Sequence, residues 1–331
     1  MNYSIKGKGM CMMDNMKVSI VMYHYVRDLK RNRYPQIKGL DIREFKEQIS
    51  WLNKNYNIVR VEDIIAAYDC GEKLPDKAML LTFDDGYVDN YTYCFPLLDE
   101  LNLQGVFYIS GKSMAERKLL DVNKIHFVLA SAKVRDLIQD VASELEIYSK
   151  EQNIPSFDEL YKRYAVPSRW DDKETVFLKR ILQTGLPEAV RNHITSNLFK
   201  RWVGVDEETF ANELYLDIEQ IKCMKRHGMH IGLHGYEHYW MGNMELKEMQ
   251  EDVQKSLRVL EDVINPTSWI LNYPYGSYND SVVEYIKSLG CTLAMTTEVG
   301  VADIGHHSRY MLPRLNTNDF PPKGENYILL K

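Results

Sequence analysis

Three short stretches of the sequence combine residue types that bind metal ions or move protons. The stretch TFDDGY carries two adjacent aspartates, Asp84 and Asp85, and the stretch HGYEH carries His234 and His238 four positions apart. The stretch NYPYG places a proline, a tyrosine and a glycine in a row. A carboxylate with two imidazoles is a common ligand set of catalytic zinc, because three protein ligands leave one position for water. We therefore expect a metal site that activates water.

Each stretch alone has an ordinary structural explanation. Asp-Asp-Gly is a common turn sequence, histidines four positions apart also occur on helix surfaces or in cores, and Pro-Tyr-Gly by itself indicates only a loop. All three stretches, however, follow an apolar run that is typical of a β-strand. In barrel-type α/β folds the loops after the strands form the active site, so we expect the three clusters to converge. Neighbouring residues after a strand point in different directions, so one aspartate can bind metal while the other faces its water.

The elements around these stretches alternate between short apolar runs and longer amphipathic ones, which indicates an α/β fold with a mainly parallel sheet. The predicted strands are KVSIVMYH, AMLLTF, GVFYIS, MHIGLH, SWILNY and TLAMTT, with helices such as REFKEQISWLNKN and DSVVEYIKSLG between them. Between about residues 118 and 212 the alternation stops and the sequence becomes helical and charged. We interpret residues 1–331 as a single barrel domain that contains a helical insertion at 118–212.

The composition limits the classes of function. The chain has 331 residues, of which 45% are hydrophobic and 27% charged, and its net charge of -6 gives no electrostatic reason to expect nucleic acid. The apolar run VSIVMY near the start is far shorter than the roughly 20 residues of a membrane-spanning helix, and we expect no transmembrane segment. The leader MNYSIKGKGMCMMDN lacks the features of a secretory signal, so we expect a cytoplasmic location. The five scattered cysteines never occur in CxxC spacing and are expected to be reduced thiols.

At these residues the sequence resembles the polysaccharide deacetylase family, the carbohydrate esterases with a NodB homology domain. TFDDGY matches the family's first motif, and HGYEH matches its second, H-S/T-x-x-H, with Gly235 in place of Ser or Thr. NYPYG matches the third motif, which is usually R-x-P-F/Y-G. The stretches VMYHYV, GVFYIS and SLGCTLAMTT are also similar to the branch that acts on surface polysaccharides. The resemblance covers nearly the whole chain outside the insertion.

The resemblance implies a distorted (β/α)7-type barrel that carries a divalent metal, usually Zn²⁺, with Co²⁺, Ni²⁺ or Fe²⁺ as alternatives. By this match Asp85, His234 and His238 are the metal ligands. Asp84 is the general base that takes a proton from the attacking water. Hydrolysis of an acetamide needs such a base, because neutral water is a weak nucleophile.

The other assignments concern the mouth of the predicted barrel. The resemblance implies that the backbone N–H of Tyr275 helps to hold the oxyanion and that Pro274 shapes the loop presenting it. We expect Pro274, Tyr275 and Gly276 to contact substrate together with Tyr87 and His24, and for the last two packing is the alternative. Further aromatic residues near the motifs suit stacking on sugar rings, with packing again as the alternative: Tyr236, Tyr239, Trp240 and Tyr278.

Two departures from the family pattern leave roles open. Asn272 stands where the family often has the arginine that orients the base, and an amide lacks the charge and fork of a guanidinium. Arg314, in the stretch MLPRLN after the last predicted strands, is a candidate replacement, with an ordinary surface position as the alternative. The family's late motif with a general-acid histidine is not plainly present, so His306 and His307 are candidates, each with a polar loop as the alternative. Four histidines are expected to be structural: His126, His193, His227 and His230.

The resulting hypothesis is a metal-dependent hydrolase that removes N-acetyl groups from an acetamido sugar during surface polysaccharide biosynthesis, in a capsule, O-antigen or exopolysaccharide. One alternative is the same chemistry on another amide or on a nucleotide- or lipid-linked sugar. The other is a non-catalytic carbohydrate-binding protein of the same fold. A binding protein has no need for a base beside a metal site, so the intact motifs favour an enzyme. No feature of the sequence indicates an oligomeric state.

Overall fold

The computed structural model describes residues 16–152 and 154–329, so the leader and Cys11 lie outside the described part of the chain. Its strands are β1 Lys17–Tyr23, β2 Val26–Arg27, β3 Leu40–Asp41, β4 Asn57–Ile58, β5 Ala78–Phe83, β6 Gly105–Ile109, β7 His230–Leu233, β8 Trp269–Asn272, β9 Cys291–Val299, β10 Ala302–Asp303 and β11 Leu312–Asn316. Its α-helices are α1 Ile42–Asn55, α2 Val61–Cys70, α3 Phe95–Glu100, α4 Gly111–Ala115, α5 Asp121–Ser131, α6 Val134–Gln152, α7 Phe157–Tyr164, α8 Lys173–Arg180, α9 Glu188–Trp202, α10 Glu207–Leu214, α11 Ile218–Arg226, α12 Leu246–Val259 and α13 Asp280–Ser288.

Seven parallel strands close into a barrel. Their order around the barrel is β1, β11, β9, β8, β7, β6 and β5, and β5 pairs back onto β1. Two short strands extend this sheet, since β4 pairs with β5 and β10 pairs antiparallel with the start of β1. The separate pair β2 and β3 precedes α1. The predicted (β/α)7-type barrel is confirmed.

Successive side chains of each strand alternate between the barrel interior and the layer of helices outside. In β5, Leu80 belongs to the interior cluster, whereas Leu81 and Phe83 pack outward. Because the side-chain period of a strand is two, Asp84 points back into the mouth of the barrel. The same alternation turns the last inward residues of the other strands toward one cavity at that mouth.

The strand β11, which closes the barrel between β9 and β1, was not predicted from the sequence. It contains Pro313, and a proline without a backbone N–H argues against a central strand. The pairing of β11 with β9 shifts register between Leu312 and Arg314, which accommodates the proline. Arg314 therefore lies on a barrel strand and not on a loop after the last strand.

Eight α-helices of the described residues, α4 to α11, lie between β6 and β7, where a barrel of this type needs only one crossover helix. Six of them, α5 to α10, pack against one another. They share their own hydrophobic cluster, which includes Phe127, Phe177 and Phe210. Tyr25 and Tyr87 of the barrel loops belong to the same cluster, so these helices pack on the mouth of the barrel. The division into a barrel and an insertion at 118–212 stays an interpretation of this arrangement.

The described residues contain no helix with the length and apolar character that crossing a membrane requires. The predicted cytoplasmic location depends on the leader, which is outside the described residues, and it stays a prediction. The four cysteines that the structure describes are free thiols, as the sequence predicted for them: Cys70, Cys94, Cys223 and Cys291.

Candidate metal and catalytic site

The structure brings Asp85, His234 and His238 together at the mouth of the barrel. Asp85 Oδ1 lies 3.2 Å from Nε2 of His234 and 3.2 Å from Nε2 of His238, and all three residues are buried. One ligand atom from each residue lies within 4.8 Å of the others. His234 Nδ1 donates to the carbonyl oxygen of Asn272 at 2.8 Å, which leaves the lone pair of Nε2 facing the carboxylate. Two acceptor atoms in close contact repel each other, so this donor set fits a divalent cation between them.

Two of these three residues have unusual backbone conformations. Asp85 and His238 have positive φ angles of 74° and 58°, which cost energy in residues other than glycine and concentrate at functional sites. Gly86 continues the turn with a φ of 69°. Because the chain reverses here, the carboxylates of Asp84 and Asp85 face different partners. The adjacent acids and the glycine of TFDDGY are therefore explained by one tight turn.

The loop between the two histidines is not helical. Asp252 of α12 accepts hydrogen bonds from the backbone N–H groups of Tyr236 and Glu237, each at 2.8 Å. Gly235 has a φ of 69°, and a Cβ atom there would lie 3.3 Å from both Asp252 Oδ1 and Pro274 Cγ. The crowding and the left-handed backbone account for glycine at the position where the family motif has Ser or Thr.

Arg314 holds Asp84 through two parallel hydrogen bonds, from Nη1 to Oδ1 and from Nη2 to Oδ2, each 2.9 Å long. Thr296 O and Thr82 Oγ1 accept further hydrogen bonds from this buried guanidinium. Burial alone would raise the pKa of Asp84, but the charges of Arg314 and of nearby His24 outweigh it and hold the pKa below its usual range. Asp84 is therefore an ionised carboxylate in a fixed orientation.

Asn272, at the position of the family's arginine, leaves its amide unused. Its side chain is buried and lines the cavity, yet neither Oδ1 nor Nδ2 has a hydrogen-bond partner among the described residues. The guanidinium that the motif lacks on β8 comes instead from Arg314 on β11. The sequence suggested this replacement, and the structure supplies the contact.

A cavity of about 330 Å³ lies over the site, and its walls come from both the barrel and the helices between β6 and β7. His24 lines it with Nε2 3.6 Å from Asp84 Oδ2. Tyr275, with a φ of 58°, stacks on Trp240 at 4.8 Å between ring centroids, and the guanidinium of Arg180 on α8 also lies 4.8 Å from the centroid of that indole. His126 of α5 also lines the cavity, although the sequence indicated only a structural role. No local signal marks it, because α5 reaches the site only through the fold.

Several predicted substrate contacts are not part of the cavity wall. Tyr87 is completely buried and donates a hydrogen bond to Asp85 Oδ2 at 2.5 Å, so direct contact with substrate is wrong for this residue. Pro274 and Gly276 form the turn around Tyr275 without lining the cavity, and a Cβ atom on Gly276 would overlap Thr297. Of the four other aromatic residues proposed for stacking, only Trp240 lines the cavity.

His306 and His307 lie at the opposite end of the barrel, which corrects the expectation that either one reaches the site. Their backbone N–H groups bond to Asp303 O, and Asp303 pairs with Lys17 at the start of β1. The site lies beyond the other end of β1, about 20 Å away at roughly 3.3 Å per residue. The antiparallel strand β10 returns the chain to that far end, a reversal that the motif pattern does not predict.

Solved structures share this fold. The deacetylase PplD of Streptococcus pyogenes, in complex with acetate, aligns with a TM-score of 0.57 over 95% of this chain and 97% of that chain, at 16% identity. IcaB from Ammonifex degensii aligns with a TM-score of 0.54 over 91% of each chain, at 17% identity. At these identities the alignments establish a common fold.

Sequence comparison identifies the family. The putative polysaccharide deacetylase YxkH of Bacillus subtilis (strain 168) is 19% identical over 86% of this chain and 66% of its own length. The poly-beta-1,6-N-acetyl-D-glucosamine N-deacetylase of Escherichia coli (strain K12) is 36% identical over 89 residues, which are 26% of this chain and 13% of that protein. The chain thus spans just under two thirds of the first relative and a small part of the second. The polysaccharide deacetylase family model matches residues 71–147 and 170–294, more than half of the chain, and the chain belongs to that family.

Proposed function

We propose that this protein is a metal-dependent deacetylase that hydrolyses the acetamido group of a sugar in a surface polysaccharide or its precursor. The observation that carries the proposal is that two buried groups of residues lie side by side. Asp85, His234 and His238 form a ligand set for a divalent ion, and Asp84 is held ionised beside them by Arg314. The printed name of the Escherichia coli relative, an N-deacetylase of an acetamido-sugar polymer, supports the choice of substrate class.

The three ligands would hold Zn²⁺ as the first choice, because imidazole nitrogen and carboxylate oxygen suit it, with Co²⁺, Ni²⁺ or Fe²⁺ as alternatives. The chemistry that such an ion supplies when bound is Lewis-acid activation of water and of the acyl oxygen. Asp84 would take the proton of the attacking water, because Arg314 keeps its carboxylate charged and aimed into the cavity. The backbone N–H of Tyr275 is the candidate donor to the oxyanion.

A proton must also reach the leaving amine for the products to be acetate and an amino sugar. Since His306 and His307 lie at the other end of the barrel, we assign this role to His24. Its Nε2 lies 3.6 Å from Asp84 Oδ2, its side chain is 39% exposed, and it lines the cavity. Imidazole suits proton donation to an amine near neutral pH.

The test combines metal analysis of the purified protein with acetate release from a panel of acetamido sugars, free, polymeric and nucleotide-linked. We expect Asp84→Asn to abolish turnover while metal stays bound, and His234→Ala to lose both metal and turnover. A near-normal rate in Asp84→Asn would contradict the assignment of the base. Carbohydrate binding without acetate release from any substrate would favour the non-catalytic alternative.

A further inference from the structure

A buried hydrogen-bond network connects Asp85 with the helices between β6 and β7. Oδ2 of Asp85 accepts the hydrogen bond from Tyr87 Oη, and Tyr87 Oη accepts one from Nδ2 of Asn123 at 2.6 Å. The same Nδ2 donates to Tyr25 Oη at 2.8 Å, and Tyr215 Oη donates to Asn123 Oδ1. All five residues are buried, and Asn123 lies on α5.

The donors and acceptors of this network are consistent in a single arrangement. An ionised carboxylate only accepts, so the one hydroxyl proton of Tyr87 goes to Asp85 and its oxygen must accept from Asn123. The two N–H bonds of the Asn123 amide are then used by Tyr87 and Tyr25, and its oxygen is left for Tyr215. A flipped amide would place its oxygen 2.6 Å from the Tyr87 oxygen, whose one proton is already donated to Asp85, and the two acceptor atoms would repel each other. Asn123 is thus a hub with every polar atom satisfied.

Burial keeps the network in this protonation state. Loss of water raises the pKa of Tyr215 well above the usual tyrosine value, so its hydroxyl remains a donor at any physiological pH. Tyr25 Oη lies 3.3 Å from Nδ1 of His126, and burial lowers the pKa of His126 to about 3. A neutral His126 can accept the proton of Tyr25, which completes the network.

We propose that Asn123 is a positioning residue for the metal ligand Asp85, acting through the Tyr87 hydroxyl. Asp85 has an unfavourable positive φ, and its Oδ1 must face the two imidazoles while Oδ2 is held from behind. Asn123 fixes the hydroxyl that holds Oδ2. Partners of metal ligands typically contribute 10- to 100-fold to metal affinity. The inference rests on the proposed function in that Asp85 is a metal ligand.

This role gives the helices between β6 and β7 a second task. Val122 and His126 of α5 line the cavity, and Asn123 points from the same helix toward the metal site. The helix α5 therefore both forms part of the wall of the substrate cavity and supports the metal ligand Asp85. A barrel without these helices would need another donor for Tyr87.

The experiment measures Zn²⁺ affinity by competition with a chelator, on metal-free wild type, Tyr87→Phe, Asn123→Ala and the double variant. We expect each single variant to bind Zn²⁺ about 10- to 100-fold more weakly. Because Asn123 acts through Tyr87, Asn123→Ala should add less than a factor of two in the Tyr87→Phe background. The matched control is Asn197→Ala on α9, whose exposed amide bonds only Glu144 and whose loss should leave affinity unchanged.

An equal loss of affinity from Asn123→Ala with and without the Tyr87 hydroxyl would overturn the proposal, as would unchanged affinity in both single variants. If Asn123→Ala does not fold, Tyr215→Phe takes its place in the cycle, because it removes a single hydroxyl, which donates to the Asn123 amide and accepts from the backbone N–H of Leu120. Failure of the proposed function gives a different result: normal Zn²⁺ binding and its normal dependence on Asn123, without acetate release. Acetate release with Zn²⁺ affinity indifferent to Asn123 removes this inference alone.

Discussion

Asp84 takes its direction from one buried side chain, Arg314, whose charge is also the largest of those that keep Asp84 ionised. A carboxylate without a partner at this depth would take up a proton, because burial disfavours the ionised form. The two parallel hydrogen bonds from Arg314 prevent this and fix the plane of the carboxylate. Lysine could not replace that fork, since it offers a point charge on a flexible stem. Because the guanidinium comes from Arg314 on β11, the side chain of Asn272 at the motif position does not orient Asp84.

Replacing Asn272 with leucine is expected to stabilise the protein. Both polar atoms of this buried amide lack a partner among the described residues, and an unpaired buried polar group costs about 1–3 kcal/mol. Leucine has nearly the same shape without that cost, so the free energy of unfolding in urea should rise by a similar amount. The control is Gln48→Leu, because the Gln48 amide accepts from Tyr23 and donates to backbone carbonyls. Gln48→Leu should be destabilising. A loss of stability in both variants would show that the Asn272 amide is satisfied.

The helix α12 positions the loop that carries the two histidines. It does so through the buried carboxylate of Asp252, on which burial and hydrogen bonding have opposite effects. Asp252 accepts two backbone hydrogen bonds, which favour its charged form. Burial opposes them more strongly and raises the pKa of Asp252 to about 6. The ionised group that shapes the loop at neutral pH is therefore held at some expense of stability.

The pH dependence of unfolding should reveal this expense. The native state keeps the Asp252 proton up to about pH 6, whereas the unfolded chain releases it near pH 4. The native state binds this proton more tightly than the unfolded chain, and this stabilises the native state fully below pH 4. The stabilisation, on the order of 3 kcal/mol, is lost as the pH rises to about 6. Asp252→Asn cannot titrate, so its stability relative to metal-free wild type should increase between pH 4 and 6. Urea unfolding of both proteins at several pH values measures the difference in stability, in which the contributions of the other titrating groups cancel. A flat or falling difference would contradict the raised pKa.

Helices and strands with a clear hydrophobic period were predictable from the sequence, whereas the strand that closes the barrel was not. The helix α1, which was predicted from the stretch REFKEQISWLNKN, buries Phe45, Ile49 and Leu52, because its apolar residues recur at helical spacing. The strand β11 escaped prediction because Pro313 interrupts it. The convergence of Asp85 with His234 was predictable because each follows a parallel strand whose end lies at the same rim. No such rule applies to side chains that reach the site from other elements.

Two residues illustrate that limit. Asn123 lies on a helix whose place over the barrel mouth is set by tertiary packing, so nothing in its sequence neighbourhood connects it with Asp85. His306 fails in the opposite way, since its residue type suited a catalytic role while β10 carries it to the far end of the barrel. Residue type indicates which chemistry is available, and topology decides whether it is used.

At the scale of the whole molecule, the helices between β6 and β7 line further cavity volume beside the candidate site. A second cavity of about 650 Å³ adjoins the one over the site, and His126 and Lys179 line both. Binding sites for ligands of ordinary size occupy about 300–1,000 Å³, so the two cavities together provide room beyond a single sugar residue. The barrel carries the candidate site, and these helices extend the cleft away from it.

We therefore expect the catalytic efficiency, kcat/KM, to be higher for an oligomer of acetamido sugars than for the single sugar. Ala130 of α5 lines only the second cavity, and Ala130→Trp would fill part of it without touching the site. This variant should lower kcat/KM for the oligomer toward the value for the single sugar, while the single sugar is turned over as before. Ser143→Trp, at an exposed position on α6, controls for the added indole. It should change kcat/KM neither for the oligomer nor for the single sugar. Equal ratios of oligomer to single-sugar efficiency in wild type and Ala130→Trp would show that substrate does not enter the second cavity, because a filled subsite must cost the longer ligand more than the shorter one.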